Sequence, residues 1–163
     1  MRYANVVTML YIKLFNKLTI FILFVFFDLI TKYFVKNNLI LNQSIKINEF
    51  LDLVYVQNYG VSFGLFSRTF SHWIFIIIGL IIVLIIFYLI VISNKKLEKI
   101  AYFIIIIGAI GNILDRFINT FVVDFISLHY KNYYWPAFNL ADIYITIGII
   151  MLLLSFFINT KES

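Results

Sequence analysis

Residues 73–92 run for twenty positions without a charge, and nothing else in the chain constrains its fold as much. A helix of about twenty residues rises about 30 Å, the thickness of a bilayer's hydrocarbon core. The run is Ile, Leu and Phe without alternation, so it predicts a helix and not a barrel strand. Three more apolar segments accompany it: residues 18–35, interrupted by Asp28 and Lys32; 100–114; and 141–158, interrupted by Asp142 near its start. Composition agrees, because AVILMFWYC residues make up 63% of the chain and charged residues 13%, too much apolar surface for a small soluble core to hide. The reading is an all-α membrane protein, a single domain over residues 1–163. Its transmembrane helices fall at approximately 16–35, 72–92, 98–115 and 139–158. A cleaved signal peptide fits the first segment badly, since no small-x-small site follows it and Lys32 and Lys36 do.

Basic residues suggest an orientation. Arg2, Lys13 and Lys17 precede helix 1, Lys95, Lys96 and Lys99 lie between helices 2 and 3, and Lys161 follows helix 4. The opposite side carries Lys32, Lys36, Lys46, Arg68, Arg116 and Lys131, balanced by six acids. Seven against six is a narrow margin, but the compact Lys95/Lys96/Lys99 cluster favours both termini in the cytoplasm. The two outward connections are long and the inward one is short, so function is expected outside. Residues 45–56 carry strand-like alternation. Residues 116–138 hold an aromatic run at 130–135 before Pro136, which suits an interfacial loop segment.

With no Cys and only His72 and His129, disulfides, thiolate catalysis, Cys-ligated zinc and a His-rich metal site are excluded. The two histidines read as interfacial anchors. Polar groups at membrane depth are costly unless they face protein or water. Here Asp28, Asn112, Asp115, Arg116, Asn139 and Asp142 all fall toward the outer ends of helices, with Asp124 in the connection between helices 3 and 4. Asn112, Asp115 and Arg116 share a helix face, as do Asp28, Thr31 and Lys32, and Gly108 and Gly111 allow another helix close approach. Two carboxylates held together share one proton and serve as general base and general acid. Asp124 and Asp142 are the natural candidates for such a pair. The blander readings are Asp142 as a helix-start stabiliser, Asp124 as a solvated loop acid, and Asp115–Arg116 and Asp28–Lys32 as structural ion pairs.

Five motifs then appear in order: Asp28-Leu-Ile-Thr31-Lys32; Asn58-Tyr-Gly60-Val-Ser62-Phe63; Gly108-Ala109-Ile-Gly111-Asn112-Ile-Leu-Asp115-Arg116; Val122-Val123-Asp124-Phe125; and Phe138-Asn139-Leu-Ala141-Asp142. Together they resemble the lipoprotein signal peptidase family (bacterial signal peptidase II, prolipoprotein signal peptidase). The one departure is Ala109, where the family pattern has glycine. The resemblance implies an intramembrane aspartyl endopeptidase that removes the signal peptide from diacylglyceryl-modified prolipoproteins, just before the lipidated cysteine, on the outer side of the bacterial cytoplasmic membrane. It implies Asp124 and Asp142 as the catalytic dyad. Asn58, Gly60, Asn112, Arg116 and Asn139 would line or order the site, and Asp28, Lys32 and Asp115 would support it. It also implies a small extracytoplasmic β-cradle at approximately residues 40–68. No metal or other cofactor is expected, nor a nucleic-acid partner; lipidated prolipoproteins and membrane lipids are the implied partners, and a monomer suffices.

Two rival classes remain. A small transporter also carries intramembrane acids, but it predicts them at several depths, whereas helix 2 has none and helix 3 none until its outer end. A non-catalytic assembly subunit predicts acids needed only for folding.

Overall fold

The computed structural model describes residues 2–60 and 70–159. Four helices, α1 (Arg2–Asn38), α2 (His72–Ile92), α3 (Lys96–Asn119) and α4 (Leu140–Asn159), are long and apolar enough to cross a membrane. α1 and α3 run past the spans expected at 16–35 and 98–115. Their side chains explain where the apolar surface goes. Leu84, Phe87, Ile150 and Leu153 point outward, so the faces that a soluble protein would bury are the faces that meet lipid. This is a multi-pass membrane protein.

α3 is the central helix and packs against α4, α2 and α1. Its seam with α4 is made of small residues. A Cβ on Gly108 would strike the carbonyl oxygen of Ala141, and one on Gly148 would lie 2.7 Å from that of Ala101. Without a hydrophobic drive between helices in lipid, such close backbone approach is what holds them together. Ala109 is only half-buried, which accounts for its tolerance where Gly108 and Gly111 are tightly enclosed.

An antiparallel four-stranded sheet covers one end of the bundle in the order β1 (Ser44–Lys46), β2 (Leu51–Asn58), β3 (Val122–Tyr130), β4 (Tyr133–Tyr134). It is not local to the α1–α2 connection, because β3 and β4 come from the α3–α4 connection. Residues 61–68 of the expected cradle lie outside the described residues. Val123 and Phe125 of β3, Tyr55 of β2, Phe121 and Val35 of α1 form the buried cluster that seats the sheet on the helices. The β2–β3 register shifts by one residue between Leu53 and Val56, a bulge opposite Phe125. Thr120 ends α3 with φ 69°, a left-handed conformation rare for a β-branched residue, and turns the chain into β3.

Candidate active site

β3 delivers Asp124. Its neighbours Val123 and Phe125 point into the cluster under the sheet, so period-two alternation turns Asp124 to the other face. Asn58 pairs with Val122 and Val56 with Asp124, which makes Asn58 and Asp124 diagonal neighbours on one face. Asn58 Nδ2 donates to Asp124 Oδ2 at 3.0 Å. Asp124 is 3% exposed, so the loop position and the solvated-acid reading both give way to a buried strand residue. Strand pairing with β2, which the apolar run 121–126 alone does not reveal, is the cause.

α4 delivers Asp142. Phe138 exchanges backbone hydrogen bonds with Ile126 and accepts one from Phe125, which brings the start of α4 against β3. Asn139 then caps the helix. Its Oδ1 accepts from the N–H of Asp142 at 3.0 Å, and its own N–H donates to Asp142 Oδ2 at 3.2 Å. This is a reciprocal capping box with Asp in the third helical position. Asp142 therefore does stabilise its helix start, but that is not its only contact. Asn139 Nδ2 also donates to Asp124 Oδ1 at 2.6 Å, so one asparagine touches both carboxyl groups.

α3 supplies the remaining wall. Asn112 Nδ2 donates to Asp142 Oδ1 at 2.8 Å. Arg116 Nη2 donates to the carbonyl oxygens of Gly60 and Asn58, the latter at 3.4 Å, and the guanidinium lies 5.3 Å from the centroid of the Phe75 ring. The Gly60 N–H donates to Asn58 Oδ1 at 3.0 Å, which fixes the Asn58 amide with its Nδ2 toward Asp124. Residues 61–63 of that motif lie outside the described residues. Asp115 and Arg116 do not pair with each other among the described residues. Asp115 accepts from the N–H of Val123 at 2.7 Å and from Asn119 Nδ2 at 2.6 Å. Adjacent helical positions point about 100° apart, and each side chain found its partner elsewhere. Asp28 and Lys32 do pair, at 2.7 Å.

Burial is the main force on Asp124. It pushes the carboxyl up to about 7, with the negative charge of Asp142 as the next cause; the hydrogen bonds from Asn58 and Asn139 oppose this. Near neutral pH Asp124 thus holds a proton for part of the time. The structure brings together Asp124, Asp142, Asn58, Gly60, Asn112, Arg116 and Asn139, with Asp28, Lys32 and Asp115 directly behind. No single short motif singled out Phe75, which supports Arg116 from α2. Nor did the sequence join His129 to Asp52, whose side chains meet at 3.2 Å on the sheet. Among the described residues no group of three His, Cys, Asp or Glu is arranged to hold a metal.

A polytopic helical protein with two carboxyl groups held by the side chain and the backbone N–H of one asparagine, at the junction of its sheet and its bundle, has the makings of a membrane-embedded acid–base hydrolase. The sequence pattern described as signal peptidase (SPase) II matches residues 20–158. The lipoprotein signal peptidase of Rickettsia prowazekii (strain Madrid E) is 42% identical over 147 residues, covering 88% of this chain and 75% of that one. That of Thermodesulfovibrio yellowstonii is 41% identical over 140 residues, covering 86% and 93%. A bacterial membrane enzyme solved by the in meso method superposes with a TM-score of 0.82 at 28% identity, covering 91% of each chain. The chain belongs to the signal peptidase II family.

Proposed function

We propose that Asp124 and Asp142 are the catalytic pair of an intramembrane aspartic endopeptidase, formed by this single domain, which removes signal peptides from prolipoproteins. The reaction follows from the family; the assignment of the residues rests on one observation, that Asn139 hydrogen-bonds both carboxyl groups at once. Two acids whose charges couple titrate as a pair and can work in opposite senses, one as acid and one as base. Asp124, with its carboxyl pushed up to about 7, is the proton donor. Asp142 takes a proton from water as the water oxygen attacks the scissile carbonyl carbon, while Asp124 protonates the carbonyl oxygen. The gem-diol collapses as the C–N bond breaks and the amine leaves with a proton returned by the pair. Arg116 Nε, buried and without a hydrogen-bond partner among the described residues, is a donor for the substrate backbone. Asn58, Gly60, Asn112 and Asn139 orient the pair. No metal enters these steps.

The substrate is a diacylglyceryl-modified prolipoprotein cut before its lipidated cysteine. Both termini lie in the cytoplasm, and the sheet and acid pair lie at the outer face of the bacterial cytoplasmic membrane. Two features support this. The Lys95, Lys96 and Lys99 connection is at the bundle end away from the sheet, and water must reach a hydrolytic pair while acyl chains stay in lipid. One fold holds all the proposed residues, so the chain acts as a monomer. The test is cleavage of a lipidated prolipoprotein by purified wild type, Asp124→Asn and Asp142→Asn. Both variants should be folded and inactive, and the unlipidated substrate should be cut poorly. Folded variants that cleave at the wild-type rate would remove the assignment.

A further inference from the structure

Behind the acid pair lies a layer of charge that the hydrolytic steps do not use. Asp28 and Lys32 of α1 and Asp115 of α3 are almost wholly buried. Lys32 Nζ donates to Asp28 Oδ2 at 2.7 Å and to Asn112 Oδ1 at 2.8 Å, and it lies 3.8 Å from Asp115 Oδ2. The two acceptors and the neighbouring Asp115 each make a further contact. Asp28 Oδ1 accepts from the N–H of Ala141 at 2.9 Å, the residue before Asp142. Asp115 Oδ2 accepts from the N–H of Val123, the residue before Asp124, at 2.7 Å. Asn112 donates to Asp142 itself at 2.8 Å. An ammonium can only donate, so Asn112 must turn its oxygen to Lys32 and its amide nitrogen to Asp142. Each path from the one ammonium ends on a proposed catalytic acid or on the residue before it.

Stability alone is a poor reason for this arrangement. Buried charge clusters cost desolvation, and apolar replacements of similar volume are often neutral or better. Fixed geometry is what the cluster adds.

We propose that Lys32 is a positioning residue for peptide hydrolysis, acting through Asp28, Asp115 and Asn112 to hold Asp124 and Asp142 in register. This rests on the reading of those two acids as the catalytic pair. Lys32 hydrogen-bonds neither acid directly. Its role differs from that of a plain packing residue in that its loss disturbs turnover and proton balance more than substrate binding.

Lys32→Met alone strands two buried carboxylates, so the decisive variant is the double substitution Asp28→Asn with Lys32→Met. It removes both charges and leaves an oxygen at position 28 for the Ala141 N–H. The full-length protein is assayed in detergent with lipidated prolipoprotein, reading kcat, KM, thermal midpoint and the dependence of rate on pH. Among the described residues the charged groups around the pair are Lys32 and Asp28 from α1 and Asp115 and Arg116 from α3. We expect a folded protein whose kcat falls about a hundredfold, the scale of a small misplacement of reacting groups, with KM changed less than about threefold. The pH–rate profile should move by about half a pH unit or more, because the charges facing the pair have changed. A kcat within about threefold of wild type, a loss carried by KM, or an unshifted profile would overturn the proposal. A double variant that cannot fold makes the cluster a folding element and overturns it as well. Asp124→Asn and Asp142→Asn run alongside separate the two readings. If they cleave normally, the catalytic pair is wrong; if they are dead while the double variant is fully active, only the role of Lys32 is.

Discussion

Asp124→Asn should abolish cleavage and yet, in alkaline solution, stabilise the protein. In the folded chain burial, and then the charge of Asp142, push the Asp124 carboxyl from its ordinary 3.8 to about 7. Between those values the folded chain keeps a proton that the unfolded chain has released. Stability from this group is therefore complete below about pH 4 and is lost as pH rises through about 7. About three pH units separate the two values, at about 1.4 kcal/mol each, so the wild type loses about 4 kcal/mol across that window. Asp124 is buried, and solvent screening does little to reduce the figure.

Asparagine has nearly the same shape and no proton to lose. It does carry one oxygen where aspartate has two, and those two accept from Asn58 and Asn139. One donor is left facing an amide, at a cost of about 1–2 kcal/mol at every pH. The variant should thus be about 1–2 kcal/mol less stable than wild type at pH 4 and about 2–3 kcal/mol more stable at pH 8. Chemical unfolding in detergent at stepped pH, wild type beside variant, measures the gap. A gap that stays flat from about pH 4 to pH 8 refutes the reasoning, because it means that Asp124 has the same proton affinity folded and unfolded. The wild-type rate provides a second check. With Asp124 as proton donor, kcat/KM should fall about tenfold for each pH unit above about 7.

Other outcomes follow from the geometry. Gly108→Ala drives a Cβ into the carbonyl oxygen of Ala141 and to 2.8 Å from Ile145, so α4 must move beside Asp142. Overpacking of about 1–3 kcal/mol exceeds the helix-propensity gain of about 1 kcal/mol, and turnover should drop about tenfold or more, read from kcat and thermal midpoint together. Thr120→Gly relieves a left-handed β-branched residue and should raise stability by about 1 kcal/mol in the same unfolding assay. The absence of cysteine makes single-cysteine labelling clean: a thiol at position 48 should react with an impermeant reagent added outside intact cells, and one at position 94 should not. Activity should survive a strong chelator unchanged; a loss reversed by Mg²⁺ counts against the metal-free steps.

What was legible in the sequence and what was not divide along a physical line. A polar group inside an apolar helix is costly, so Asp28, Asn112, Asp115 and Asp142 announce themselves by depth and by helical spacing. Those inferences need only neighbours three or four residues away. Asp124 is different. Its own segment, 121–126, is a short apolar run that suits a loop, a strand or an interfacial stretch equally. Its burial comes from β2, more than sixty residues earlier, through a register that includes a bulge, and no local pattern encodes that pairing. The same gap explains Asp115 and Arg116. Adjacency suggested an ion pair, whereas β3 and the turn at Gly60 took one side chain each. The proposed chemistry depends on this non-local part. An acid left in a loop would titrate near its ordinary value and donate no proton at neutral pH. The strand that hides Asp124 from water is what raises its proton affinity to the level the proposed acid of the pair requires.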